Sequence, residues 1–126
     1  MVPFAILPGG AGFVIHVSQL AAHTKDMLSS PQVSLLVVAS QSPEISAQEV
    51  ARVTIQGHAT QYNKYAPGYV EAKLAYLSRF PQSSDMFNFS DFSLFAILPR
   101  SIRFVGGFAQ ATTITPEVLA EVLSKA

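Results

Sequence analysis

Short β-type runs cut apart by turn signals constrain this 126-residue chain more than any other feature. Val2 to Leu7 is apolar and stops at Pro8-Gly9-Gly10-Ala11-Gly12, a cluster that only a turn accommodates, and Phe13 to Val17 resumes β-type residues, so the start predicts a hairpin. Val33 to Ala39 is a β-branched and leucine-rich run without alternation, as expected of a strand covered on both faces, and Gln41 to Gln48 reads as a polar loop. Val50 to Tyr62 then alternates, with Val53, Ile55 and Ala59 pointing one way and Arg52, Thr54, Gln56 and His58 the other. Phe92 to Leu98 and Ser101 to Phe104 read as strands around a Pro99-Arg100 turn, Gly106-Gly107 as a bulge or close backbone approach, and Phe108 to Ile114 as a further strand.

Helical periodicity fills the gaps. Ser18 is the expected N-cap of a helix ending at Ser29-Ser30-Pro31, with Leu20, His23, Thr24, Met27 and Leu28 sharing one face. Tyr65-Ala66-Pro67-Gly68 resembles a helix start, with Val70, Leu74 and Leu77 as the buried stripe until Phe80-Pro81 stops it, and Ser83 to Ser90 reads as loop. Thr115-Pro116-Glu117 supplies a cap, a proline at the first helical position and an acid in the first turn of a final helix to Ala126. Strands outnumber helices and most neighbours are joined by short loops. The expected packing is mainly β within the α+β class: an antiparallel sheet curled into a small barrel with helices at its rims, one domain over 1–126. Sheet material begins without a lead-in, so a strand pairing with Val2 to Leu7 is expected upstream of Met1.

Composition narrows the function. Charged residues make up 13% of the chain, about half the usual quarter, against 49% hydrophobic, which predicts that part of the surface is covered by a partner subunit or a flat cofactor. Eight basic residues balance eight acidic ones, leaving no field to hold a nucleic-acid backbone. Cysteine is absent, so disulfides, thiolate metal sites and thiol catalysis are excluded, in keeping with a reducing compartment. Neither a run of about 18 apolar residues nor a basic leader occurs, which predicts a cytoplasmic protein with no membrane partner. Gly-x-Ser-x-Gly, phosphate-loop, Gly-x-Gly-x-x-Gly and His-Glu-x-x-His patterns are all missing, which argues against a self-contained hydrolase or nucleotide-cleaving enzyme.

The candidate site residues are few. His16, His23 and His58 fall on a strand, a helix and a different strand, a spacing that predicts no protein-only metal site. His23-Thr24-Lys25, close after Ser18, combines helix-start amides, a hydroxyl and two potential cations that suit a phosphate or carboxylate; the competing reading is an ordinary amphipathic helix with a solvated Lys25. The row Arg52, Thr54, Gln56 and His58 is either a solvated sheet face or the floor of a cleft, and Arg52 stands out because a guanidinium holds phosphate bidentately. Gly106-Gly107 would let a planar ligand approach the backbone, with Phe108 as a stacking surface, whereas Phe80, Phe87, Phe89, Phe92 and Phe95 read as core and interface.

Taken together, Gly12 to Ser18, His23 to Pro31, Val33 to Leu36, Arg52 to Gly57, Tyr76 to Pro81 and Gly106 to Ala111 resemble the pyridoxamine 5′-phosphate oxidase-like, FMN-binding split-barrel superfamily. Ser18 to Thr24 and Gly106-Gly107-Phe108-Ala109-Gln110-Ala111 are most similar to its haem-utilisation branch. The resemblance implies a homodimer of six-stranded antiparallel split barrels with flanking helices and with clefts at the subunit seam. It also implies FMN as cofactor for an oxidoreductase, with His23, Thr24 and Lys25 on the phosphate, Arg52 and Gln56 assisting, and Ser18 and the Val17 backbone meeting the ring. The family's Ser-Arg-Lys phosphate clamp falls on Ala21-Ala22-His23, where only His23 keeps a donor. The alternatives are a haem-binding or haem-degrading protein in the same cleft, with His16, His23 or His58 as ligand, and a cofactor-free dimeric scaffold.

Overall fold

A computed structural model describes residues 1–39, 50–107 and 110–125. The expected Gln41–Gln48 loop and the expected stacking residue Phe108 lie outside the described residues. The elements run β1 (Ala5–Ile6), a 3-10 turn (Pro8–Gly10), β2 (Phe13–Ser18), α1 (Ala22–Ser29), β3 (Gln32–Val38), β4 (Arg52–Gln61) and α2 (Tyr69–Arg79). A 3-10 segment (Pro81–Asn88), β5 (Phe92–Val105), β6 (Ala111–Ile114) and α3 (Pro116–Ser124) follow. The strands form one six-stranded antiparallel sheet in the order β1-β2-β5-β4-β3, with β6 also on β5. Among the described residues no helix is long and apolar enough to cross a membrane.

The sheet curls around Phe13, Ile15 and Val17 of β2, Ile55 and Ala59 of β4, and Phe95, Ile97 and Ile102 of β5, with Met27 and Leu119 plugging the ends from α1 and α3. The opposite face of β1, β2 and β5 (Ala5, Val14, Leu94, Ala96) is covered by Ala72 and Tyr76 of α2. Successive strand residues point to opposite faces, so β2 and the first half of β5 are apolar at nearly every position because both faces are covered there.

Several local expectations are corrected. Pro99 does not end a strand: β5 runs through it, and the pairing with β4 shifts register between Gln56 and Gly57, leaving Arg100 of β5 as the extra residue of a bulge beside the proline. Gly57 is needed there, since a Cβ would sit 2.7 Å from the Leu98 carbonyl oxygen. The β3 strand is not covered on both faces. It is the sheet edge, with Leu36 and Val38 exposed at 64% and 47%. Helix α1 starts at Ala22, with Ala21 at its N-cap and no capping side chain; Ser18 instead ends β2, paired with Phe92. Only Thr24 and Met27 of α1 are buried, and Leu20 and Leu28 face outward. On α2, Ala72 and Tyr76 form the buried face while Val70 and Leu74 are exposed, because the small Ala72 lets the helix lie close on the sheet. The segment expected as loop after Pro81 is wound as 3-10 helix. At the other end the expected cap holds: the Thr115 hydroxyl accepts from the Val118 N–H at 3.2 Å.

Candidate functional site

Strand β2 delivers alternate residues to two different clefts. Ile15 points into the barrel and lines an opening of about 430 Å³ between α1 and β3, walled by Val2, Met27, Val33, Leu35 and Ile97, with His23 and Asp26 at its mouth. The burial pattern explains this cleft: the inward residues Val33 and Leu35 of an edge strand meet a helix only eight residues long, which leaves the barrel end partly uncovered. His16, one residue on, points the other way and lines a cleft of about 500 Å³ with Gln61, Tyr62, Phe87, Phe92 and Ser93.

The predicted site residues do not converge. Val17 is buried in the barrel interior, and Ser18 accepts the Leu20 N–H on its hydroxyl at 3.1 Å. Thr24 is fully enclosed, and its hydroxyl donates to the Ser18 carbonyl at 2.7 Å, so it tethers α1 to the end of β2 and leaves the phosphate set. His23 and Lys25 are both exposed but stand two residues apart, roughly 200° around the helix, so they cannot grip one anion together. Arg52 pairs with Val38 at the far end of β3, six residues and roughly 20 Å along the strand from the His58–Gln32 pair beside α1. Its Nη1 donates to the Val50 carbonyl at 3.2 Å, and it lines a separate shallow cleft with Val38, Val53 and Phe104. Gln56 is exposed near the bulge, its Oε1 accepting from the Ser101 hydroxyl at 3.1 Å. Of the predicted set, only His23 therefore lines the cleft between α1 and β3.

His16 is the site residue that sequence reasoning underweighted. Its ring lies parallel to Phe87 at 3.9 Å and 5°, meets Tyr76 edge-on at 5.8 Å, and tilts against Phe92 at 5.3 Å. Burial, and then the positive charge of Lys73, hold its pKa down to about 4, so the imidazole is neutral at pH 7. Burial raises Tyr76, which the Ser83 hydroxyl partly opposes, and burial with the nearby Glu71 raises Tyr62, so both phenols keep their protons. Beneath these rings the Ser93 hydroxyl accepts from the Gln19 and Gln61 amides at 2.9 and 3.0 Å. The available signal was the Phe87-Asn88-Phe89 and Phe92 group, whose pairing with His16 depends on the chain folding back some 70 residues later. Among the described residues no three His, Cys, Asp or Glu side chains gather as a metal cage.

Chemically, the α1–β3 cleft offers largely apolar walls edged by Ser30, Gln32 and Ser34, with an exposed imidazole and the Asp26 carboxylate on the flanking helix. A flavin phosphate needs charge-assisted donors at the helix start, where this chain places Ala21, Ala22 and a turned-away Lys25. A planar macrocycle carrying a metal needs apolar contact and a nitrogen ligand, which the walls and His23 supply.

Comparison with known proteins agrees with this architecture. Residues 9–120 match the family described as CREG, beta-barrel. The chain is 36% identical over 111 residues to the chloroplastic Non-canonical heme oxygenase HOZ of Arabidopsis thaliana, covering 88% of this chain and 32% of that one. It superposes on a heme binding protein from Mycobacterium smegmatis with a TM-score of 0.83 at 29% identity, covering 95% of this chain and 48% of that one. On the heme storage protein HutZ from Vibrio cholerae the TM-score is 0.73 at 20% identity, over 86% and 77% of the two chains, a likeness of fold. The chain thus spans about a third of the plant relative and about half of the mycobacterial one. Its sequence and its six-stranded antiparallel sheet place the chain in the CREG β-barrel family of the pyridoxamine 5′-phosphate oxidase-like split-barrel superfamily.

Proposed function

We propose that this chain is a haem-binding split barrel in which His23 supplies the iron ligand at the mouth of the α1–β3 cleft. The observation that carries the reading is the donor set of that cleft: an exposed imidazole, with the Asp26 carboxylate on the same helix, beside Val2, Ile15, Met27, Val33 and Leu35, at a helix start whose clamp positions are alanines. The names of the plant and mycobacterial relatives, both haem proteins, support it. Bound iron would supply redox and oxygen chemistry, while the chain's own residues bind and orient the macrocycle and keep water from its face. FMN, which the superfamily resemblance first suggested, fits less well, because losing two or more charge-assisted bonds at roughly 1.5 to 3 kcal/mol each weakens a phosphate ligand by orders of magnitude.

In this reading two copies meet at a seam, and the uncovered β3 residues Leu36 and Val38 are the surface offered to the second copy. The haem-loaded protein is expected to sediment at twice the 13.5 kDa chain mass.

The test is a parallel titration of purified protein with haemin and with FMN. Haemin is expected to produce a shifted, saturable Soret band and raise the melting temperature, while FMN leaves both its own fluorescence and the melting temperature unchanged. Quenching of FMN with a thermal shift, and no saturable haemin spectrum, would overturn the proposal.

A further inference from the structure

The second cleft, on the α2 side of β2, is not needed for haem held at His23. It is separated from that cleft by the strand itself, since Ile15 lines one and His16 the other. Three of its properties point to a ligand. First, its walls are rings: Phe87 and Phe92 around His16, with Phe89 left 53% exposed at the side and Tyr65 94% exposed at the rim. Exposed aromatic faces arranged around a concavity of about 500 Å³ suit a flat molecule of two fused rings. Second, its floor is polar and fixed. Ser93 accepts from two amides at once, so its own O–H remains to donate, and the Gln61 carbonyl oxygen remains to accept. Third, Lys64 is the only ionised residue lining it among the described residues, Lys73 lies over the Phe87 ring at 5.1 Å and Glu71 acts on Tyr62, so two cations against one carboxylate favour an anion.

We propose that this cleft is a second ligand site that takes a two-ring aromatic carboxylate, with the rings against Phe89 and Phe92, the carboxylate toward Lys64, and the Ser93–Gln61 pair reading polar atoms on the ring edge. The site differs from the haem seat in the charge and the hydrogen bonding it asks of its ligand. The neutral His16 imidazole offers one donor and one acceptor without adding charge.

The experiment titrates the intact protein with 2-naphthoate and with its neutral analogue 2-naphthamide, by calorimetry and by amide chemical shifts. Naphthoate is expected to bind with shifts at His16, Tyr62 and Ser93, and naphthamide about three- to fivefold more weakly, as for one partly solvated charge pair. Lys64→Gln should abolish that difference, and Phe89→Ala should weaken both ligands about five- to tenfold. Both substitutions are at exposed positions, so the fold is retained. Equal binding of the two ligands to wild type, unchanged binding to Phe89→Ala, shifts confined to Met27 and Val33, or no binding at millimolar naphthoate would each overturn the proposal. Haemin binding is read separately through its Soret band and is expected to be the same with and without naphthoate, so failure of either site leaves the other standing.

Discussion

His16 and His23 leave the main chain seven residues apart and meet opposite fates. His16 lies on a strand whose outer face is roofed by α2 and by the 3-10 segment, so its ring is stacked, desolvated and neutral. His23 lies exposed on the first turn of a short helix, after Ala21 and Ala22 and one turn before Asp26, at the mouth of a largely apolar cleft. The same side chain is thereby a wall element in one place and an available nitrogen ligand in the other. Enclosure, not residue type, decides which.

The barrel interior is common ground for both, and removing it has the largest expected effect. Phe95 is 1% exposed and faces the core shared by β2, β4 and β5, so Phe95→Ala is expected to cost about 3–5 kcal/mol in urea unfolding and to disturb both clefts together. A cost below about 1 kcal/mol would mean that the two faces are not held by one core.

The next effect separates the histidines. The folded-state pKa of His16, about 4, lies below its ordinary 6.5, so the folded protein keeps the neutral ring while the unfolded chain takes a proton. The resulting stability is fully present above pH 6.5, declines as pH falls and is gone below about pH 4. With the ring's partial contact with solvent allowed for, the loss is about 1–2 kcal/mol. Unfolding curves of wild type and His16→Gln between pH 4 and pH 6.5 check it: the variant's curve should be flatter by that amount, and parallel curves would contradict the enclosure of His16. A smaller effect sits at the tether between the regions. Thr24→Val keeps the shape and deletes the hydroxyl that donates to the Ser18 carbonyl, at a cost of about 1 kcal/mol in the same assay.

How much of this was readable from sequence varied with how local the cause was. The alternation of Val53, Ile55 and Ala59 placed β4 correctly because one strand's two faces see different solvents, and Thr115 with Pro116 marked α3 because a cap acts within four residues. Ser18 misled because its pairing with Phe92, 74 residues away, extends β2 past the point where a local cap would have started the helix. Pro99 misled because the bulge at Arg100 beside it exists only once β5 is paired with β4. The face of α2 was missed because alanine at 72 carries little hydrophobic weight yet permits the closest approach. At the candidate site, chemistry alone singles out His23, Thr24 and Arg52, and only tertiary geometry shows the first lining the α1–β3 cleft, the second enclosed and the third at the far end of the sheet. His16 was seen as one isolated histidine, since its aromatic enclosure is assembled by segments distant in sequence.

The most direct measurement is the haemin titration of wild type, His23→Ala and His16→Gln side by side, followed at the Soret band. Loss of the iron ligand in His23→Ala should displace the band toward free haemin and weaken binding by about tenfold or more, while His16→Gln titrates like wild type. If His23→Ala retains the wild-type spectrum and affinity, His23 is not the ligand and the assignment of the α1–β3 cleft as the haem seat is wrong.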